Sequence, residues 1–181
     1  MHRILTVIFM VLLAAGIASA GVVTLDDETQ TTTFTATVSE QMDVSVTAAV
    51  AFSVLNTAIP TVQTGTVTVS ATAIALDEGH KLRIDIAPNE ADFEESAAGG
   101  GPTWPSEAIS WDAPVWTGGT GSSGTMSDTA DDYHLVAQMT AANSTEVSTA
   151  LLEFTLAANA AVTHAGDHTL ACTWKFSSLA P

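Results

Sequence analysis

The sequence is poor in basic residues. Lysine and arginine together number 4, against 20 aspartates and glutamates, in a chain of 181 residues with a formal net charge of −16. Nucleic-acid binding depends on neutralising a row of phosphates with positive charge, so this balance excludes nucleic acid as a partner. It disfavours docking onto anionic lipid for the same reason.

Cysteine is almost absent, since Cys172 is the single one. One thiol excludes an internal disulfide framework, and a chain of this length buries enough surface to fold without one. Disorder is also excluded, because 46% of the residues are hydrophobic. Cys172 lies between Leu170 and Trp174 on the inward phase of a predicted strand, where a lone cysteine acts as a small hydrophobic side chain.

Residues 1–20 have the features of a secretory signal peptide. A short basic start ending at Arg3 precedes an apolar run, and Ala18-Ser19-Ala20 is a small-x-small cleavage site. The apolar run is shorter than the ~20 residues that span a bilayer. We therefore expect a secreted, cell-surface protein without a membrane span in its mature chain. Loss of Arg3 would leave three basic residues against 20 acidic ones, a net charge of −17.

A period of two dominates the mature chain and predicts strands. From Thr32 to Val54 the even positions are mostly apolar and the odd positions mostly polar. This run is longer than a globular strand, so we divide it into Gln30–Val38 and Met42–Leu55, although the alternation keeps its phase across the division. The further predicted strands are Thr64–Leu76, Lys81–Ala87, Tyr133–Thr140, Leu151–Ala157 and His168–Phe176.

These strands predict an all-β fold, an immunoglobulin-like or jelly-roll β-sandwich. Residues 21–40 form an extended N-terminal strand, and residues 41–181 a single domain. Residues 88–129 form a Trp/Gly/Pro-rich loop excursion, with short strands at Ile109–Trp111 and Val115-Trp116. The only stretch that would allow a short helix is Ala141–Leu152, and its Asn143-Ser144-Thr145 argues against a helix there.

Two features relate to carbohydrate. Trp104, Trp111 and Trp116 could stack on sugar rings, although the core of the excursion is the favoured interpretation of these aromatics. Asn143 begins an Asn-Ser-Thr glycosylation sequon, so glycans are expected as candidate partners. The alternative function that follows is a secreted carbohydrate- or cell-wall-binding module.

Metal sites have only weak candidates. Asp128, Asp131 and Asp132 could contribute to a calcium site, but they lack the EF-hand spacing and favour a solvated loop. The segment His164–His168 offers three ligands for zinc, and a polar turn is the favoured interpretation. We expect no cofactor, with calcium as the one candidate. The absence of catalytic motifs predicts that the protein is not an enzyme, and a secreted enzyme of unrecognised family is the third alternative.

The C-terminal sequence resembles the closing strand of WxL-type bacterial surface domains. It contains Thr173-Trp174-Lys175-Phe176 and ends in Ala180-Pro181, whereas those domains end in Thr-Trp-x-Leu and then Ala-Pro. Here Phe176 replaces the leucine and one additional residue precedes Ala180. Those domains attach to the cell wall, and this departure means that the activity is not carried over to the chain.

The overall organisation resembles secreted filament subunits that assemble by donor-strand exchange, although the paired cysteines of chaperone–usher pilins are absent. Strand exchange needs an alternating segment at a chain end and an acceptor sheet with an open edge. We expect residues 22–38 to be that segment and the protein to be a homopolymer. A long first hairpin within one sandwich remains the alternative. The expected polymerisation strand includes Val22, Val23, Leu25, Thr32, Phe34, Ala36 and Val38.

Overall fold

The computed structural model describes residues 33–96 and 101–181. Residues 38–181 make up one unit, and residues 33–37 belong to a second, N-terminal unit. The described strands are β1 (Gln41–Val46), β2 (Thr61–Val62), β3 (Val67–Ala75), β4 (Lys81–Pro88), β5 (Glu94–Glu95), β6 (Ile109–Trp111), β7 (Gly119–Gly121), β8 (Gly124–Thr125), β9 (His134–Met139), β10 (Glu146–Leu152), β11 (Phe154–Leu156), β12 (His168–Thr169) and β13 (Cys172–Leu179). The only helical turn in the described residues is a 3₁₀ turn at Ser106–Ala108.

Two antiparallel sheets carry most of the pairing in residues 38–181. One has the order β1-β3-β10, and the other has the order β13-β4-β9-β7. Two smaller sheets have the orders β2-β11-β6-β8 and β12-β5. The all-β, sandwich-like fold expected from the sequence is therefore confirmed.

The core follows from the alternation of apolar and polar positions. In β3 the side chains of Val67, Val69 and Ala71 are buried, and in β4 those of Leu82 and Ile84 are fully buried. Successive side chains of a strand point to opposite faces, so one face of each strand joins a single hydrophobic core.

The Gln63 side chain bridges the interruption between β10 and β11. The ladder is interrupted between β10 and β11, where Glu153 separates Leu152 from Phe154. The Gln63 side-chain amide donates a 3.0 Å hydrogen bond to the Leu152 carbonyl and accepts a 2.9 Å bond from the Phe154 N–H. These backbone groups would otherwise lack partners at a partly buried position.

The Trp/Gly/Pro-rich excursion is held by its tryptophans. The indole N–H of Trp104 donates to the Ala157 carbonyl at 2.9 Å, and that of Trp111 donates to the Ser122 carbonyl at 2.8 Å. Apart from residues 97–100, the excursion is described throughout and contains β5, the 3₁₀ turn and β6 to β8. Its second short strand is reduced to one bridge, between Val115 and Thr120.

The observed strands differ from the predicted ones in several places. Residues 33–38 belong to the strand predicted over Gln30–Val38, but they form no strand. The strand predicted over Met42–Leu55 ends at Val46, and the chain then follows an irregular path with one bridge to Thr64. The segment Ala141–Leu152 contains no helix, and its residues Glu146–Leu152 pair with β3 as a strand. The last predicted strand is divided into β12 and β13, which belong to different sheets.

The basic residues of the described chain share one face. Lys81 and Arg83 alternate with the inward residues of β4, and Lys175 of β13 lies opposite Asp85. The Arg83 Nε donates to both oxygens of the buried Asp85 carboxylate, at 2.7 and 2.8 Å. The Lys175 ammonium lies 5.1 Å from the centre of the Tyr133 ring. The ion pair offsets the cost of burying Asp85.

Candidate functional site

The first sheet is covered unevenly across its width. Val44 of β1 and Val147 of β10 both lie opposite Ala71 of β3, so the three side chains form one row on the core-facing side. Ala71 and Val147 are fully buried, but Val44 is 54% exposed. The apolar face of the sheet is therefore left uncovered at the β1 edge.

The second sheet repeats this pattern at its β13 edge. Trp174 and Phe176 lie opposite Ile86 and Ile84, whose side chains are buried. Trp174, Phe176 and Cys172 pack against the core but are only partly buried. Among the described residues β13 pairs with β4 alone, so within them its other edge has no strand partner. We call the side of the sandwich between β1 and β13 the open side.

The opposite side of the sandwich is closed. Thr117, just before β7, forms a bridge with Ser148 of β10, with N–H···O distances of 2.8 and 3.1 Å. The Thr140 N–H also donates to the Gly118 carbonyl at 3.1 Å. The two sheets are joined by backbone pairing here, whereas β1 and β13 share no ladder.

One contact closes the end of the open side. The Glu40 carboxylate accepts hydrogen bonds from the Asp77 N–H at 2.9 Å and the Ser178 hydroxyl at 2.7 Å. His80 Nδ1 lies 2.9 Å from the same oxygen. These contacts, led by the Asp77 N–H, lower the pKa of Glu40 from its ordinary value. We call Glu40, Asp77, His80 and Ser178 the junction.

The junction also contains the only described group of three side chains that could share a metal ion, namely Glu40, Asp77 and His80. The Glu40 oxygen already accepts two hydrogen bonds with His80 alongside, so the group is explained by internal hydrogen bonding. Three ligands also fall short of the four protein ligands of a structural zinc site and of the six to eight oxygens around calcium.

The candidate polymerisation strand is described only in part. Val22, Val23, Leu25 and Thr32 lie outside the described residues. Residues 33–40 form no strand, and residues 33–39 are exposed, with Phe34 at 92%. Ala36 and Val38 are exposed as well. Most exposed large apolar side chains of the described residues lie between Phe34 and Val62.

The tryptophans considered for sugar binding are buried. Trp104, Trp111 and Trp116 are 4%, 2% and 6% exposed. Trp111 packs edge-on against Phe154, with ring centres 6.2 Å apart. No ring face is left for stacking on a sugar, and burial in the core accounts for all three residues.

The calcium candidates do not converge. Asp132 accepts a 2.7 Å hydrogen bond from the Ser127 hydroxyl, and this bond is the main reason that the pKa of Asp132 is lowered. Asp128 accepts from the neighbouring Thr129 hydroxyl, and Asp131 adopts a positive φ of 61°. Among the described residues these carboxylates form no group close enough to share an ion.

The remaining candidate residues lie at separate places. Asn143 is exposed in the turn between β9 and β10, where a glycan would meet no steric obstacle from the core. His168 contacts the Thr103 hydroxyl at 3.1 Å and the Trp104 ring edge-on, which explains it structurally. Burial raises the pKa of the Cys172 thiol to about 11, which makes it a poor nucleophile.

In comparisons with protein-family models, curated proteins and solved structures, no significant match to the chain was found. Within residues 33–96 and 101–181, no helix has the length and apolar character needed to cross a membrane. The site must therefore be interpreted from its own geometry.

Sequence reasoning missed the open side and the junction. The open side depends on which strands are neighbours, and alternation does not specify strand order. Glu40 stood out only as a charged residue on the apolar phase of the run from Thr32 to Val54. That misplaced charge was the one signal that could have marked the junction.

Proposed function

We propose that the protein is a structural subunit of an extracellular filament, in which each subunit donates its N-terminal strand, residues 22–38, to the sandwich of its neighbour. The observation that carries this proposal is the row Val44–Ala71–Val147. It is covered on the β10 side and exposed on the β1 side. A core-facing valine left exposed is the mark expected of a sandwich that lacks a strand.

The N-terminal segment has the properties of the missing strand. Its alternating positions bring Phe34, Ala36 and Val38 to one face and threonines to the other. Its residues 33–38 have no strand partner. At roughly 3.3 Å per residue, the 17 residues from 22 to 38 would span about 55 Å. That length is sufficient to reach a second subunit.

This mode of contact gives a filament. The donating segment and the receiving side are different surfaces of the subunit, so the interface is heterologous. A heterologous contact that does not close into a ring propagates into a fibre. Each added subunit would present a new open side and leave one donor segment free.

The proposal is tested with the chain from residue 21 and two matched variants. Phe34→Asp places a charge on the apolar phase of the donor, and Thr35→Asp places the same charge one residue later on the polar phase. We expect fibres from the unchanged chain and from Thr35→Asp in negative-stain microscopy, and monomers from Phe34→Asp. A chain lacking residues 21–38 should also remain monomeric.

The proposal is overturned if the unchanged chain stays monomeric at all concentrations tested. It is equally overturned if the truncated chain forms fibres of unchanged diameter. Circular dichroism of each variant checks that the sandwich is folded, since residues 33–39 are exposed and their substitution removes no core contact.

A further inference from the structure

The two edges of the open side are not equivalent. β1 has six residues, and its register with β3 shifts between Gln41 and Asp43. β13 has eight residues, and all of them pair with β4 without a shift. A bulge disrupts an edge and disfavours the addition of a strand, whereas a regular edge is a template for pairing.

The side chains of β13 also match the proposed donor. Cys172, Trp174 and Phe176 form a partly buried apolar row toward the core, and Lys175 lies on the opposite face. The donor segment from Thr29 to Val38 contains no charged residue. Pairing of the part Thr29–Val38 with β13 would therefore bury apolar rows against each other without burying a charge of the donor.

Resting on the proposed function, we infer that β13 is the receiving edge and that the N-terminal segment of a second copy pairs with it. Phe34, Ala36 and Val38 of that copy face the open side beside Trp174 and Phe176. The added strand extends the sheet to the order donor-β13-β4-β9-β7. It also covers the side of the core on which Val44 is exposed.

The sequence favours a second copy over the chain's own segment. The junction fixes Glu40 beside Ser178, at the C-terminal end of β13. To pair with its own β13, the chain would have to reverse direction between Val38 and Gln41. Residues 30–41 contain no Gly, Pro, Asn or Asp, and Ser39 is the single residue among them of a type that favours tight reversals.

Cys172 provides a built-in probe of this interface. It is the only cysteine, and its side chain lies on the same face of β13 as Trp174 and Phe176. Single cysteines are introduced on the even phase, at Thr32, Phe34, Ala36 or Val38, and on the odd phase, at Thr33, Thr35 or Thr37. Assembled material is treated with copper-phenanthroline, which oxidises two neighbouring thiols to a disulfide. Cross-linking requires Cβ atoms within about 4.5 Å, so only a side chain on the same face as Cys172 can react.

We expect disulfide-linked dimers and higher oligomers on non-reducing gels from at least one even-phase variant. No odd-phase variant should cross-link, and adding Cys172→Ser to the reactive variant should abolish the product. Cross-linking in the odd series, or in none of the even series despite normal fibres, would place the donor elsewhere and overturn the inference. Fibre formation itself would then still support the proposed function.

Two other outcomes are also decisive. A disulfide within one chain would appear as a species of monomer mass without free thiols. It would show that the chain's own N-terminal segment pairs with β13, and it would overturn the inference of a second copy. Absence of fibres from the unchanged chain would overturn the proposed function, and the inference with it. Mass spectrometry and thiol titration separate these outcomes.

Discussion

The Ser178 hydroxyl donates a 2.7 Å hydrogen bond to the Glu40 carboxylate, and this contact joins residues 138 positions apart in the sequence. It ties the residue before β1 to the end of β13, so it connects the two edges of the open side. The same carboxylate oxygen accepts the Asp77 N–H. The position of Glu40, just before β1, is thus fixed by side-chain and backbone hydrogen bonds.

The junction should make the protein less stable at acidic pH. The pKa of Glu40 is lowered from 4.5 mainly by the Asp77 N–H, followed by the Ser178 hydroxyl. Its stabilising contribution is therefore present above pH 4.5 and is lost as pH falls through the lower folded-state pKa. We expect the melting temperature of the unchanged chain to fall toward that of Glu40→Gln in this range.

The matched control for the junction is Glu78→Gln, because Glu78 is an exposed neighbour. Its melting temperature should run parallel to that of the unchanged chain between about pH 6 and pH 3. A constant difference between the unchanged chain and Glu40→Gln over the same range would contradict the role assigned to Glu40.

Trp174 should report assembly by fluorescence. Three of the 4 tryptophans are buried, whereas Trp174 is partly exposed on the open side. A strand added along β13 would remove water from its indole ring. We expect emission to move to shorter wavelength as fibres form, and Trp174→Phe to lose that shift. Unchanged emission during fibre growth would argue that no strand is added along β13.

Cys172 should destabilise the fold at alkaline pH. Burial raises the pKa of its thiol from 9.0 to about 11. Below pH 9.0 the thiol is protonated in both the folded and the unfolded chain, so its ionisation does not affect stability there. As pH rises toward 11, the unfolded chain loses the proton while the folded chain retains it, which favours unfolding. The difference in unfolding free energy between the unchanged chain and Cys172→Ala should therefore shrink or reverse in this range. If that difference is flat with pH, the thiol is not buried in solution.

Gln63 should contribute strongly to stability for a partly buried polar residue. Replacement by Ala removes both hydrogen bonds at the break between β10 and β11 and leaves the Leu152 carbonyl and the Phe154 N–H without partners. We expect a loss of about 1–3 kcal/mol in the free energy of unfolding, measured by urea titration. Gln138→Ala, on the outer face of β9, is the control and should change stability little. Equal losses in the two variants would contradict the bridging role.

Assembly should depend on ionic strength. The mature chain expected from the sequence carries three basic and 20 acidic residues, so free subunits repel one another. Added salt should shorten the delay before fibre growth, as followed by light scattering. Calcium and magnesium should act alike, because Asp128, Asp131 and Asp132 do not converge on an ion site. Growth whose delay is unchanged at low ionic strength, or an effect of calcium that magnesium does not share, would contradict this expectation.

The sequence predicted local structure well where alternation was regular. The strand expected over Lys81–Ala87 is observed as Lys81–Pro88, since its apolar phase matches a fully buried row. Alternation could not show that the run beyond Val46 leaves its ladder, because Thr and Val fit both a pleated strand and an exposed irregular path. The end of β1 is set by the register with β3 rather than by local preference.

The order of the strands in each sheet could not be predicted from the sequence. The exposed Val44 and the buried Val147 are residues of the same type on the same alternating pattern. What distinguishes them is that β10 has the bridge from Thr117 beside it, whereas β1 has no second neighbour among the strands that the structure describes. Such differences arise from pairing between distant segments, and composition carries no record of them.

The face shared by Lys81, Arg83 and Lys175 bears on resistance to digestion. Trypsin cleaves after lysine or arginine, and in the described residues all such positions lie in β4 and β13, whose backbones are paired along their whole length. The exposed loops, where nicking by proteases usually begins, carry no lysine or arginine. Cleavage of the sandwich by trypsin must therefore wait for β4 and β13 to separate, and its rate measures how often that opening occurs.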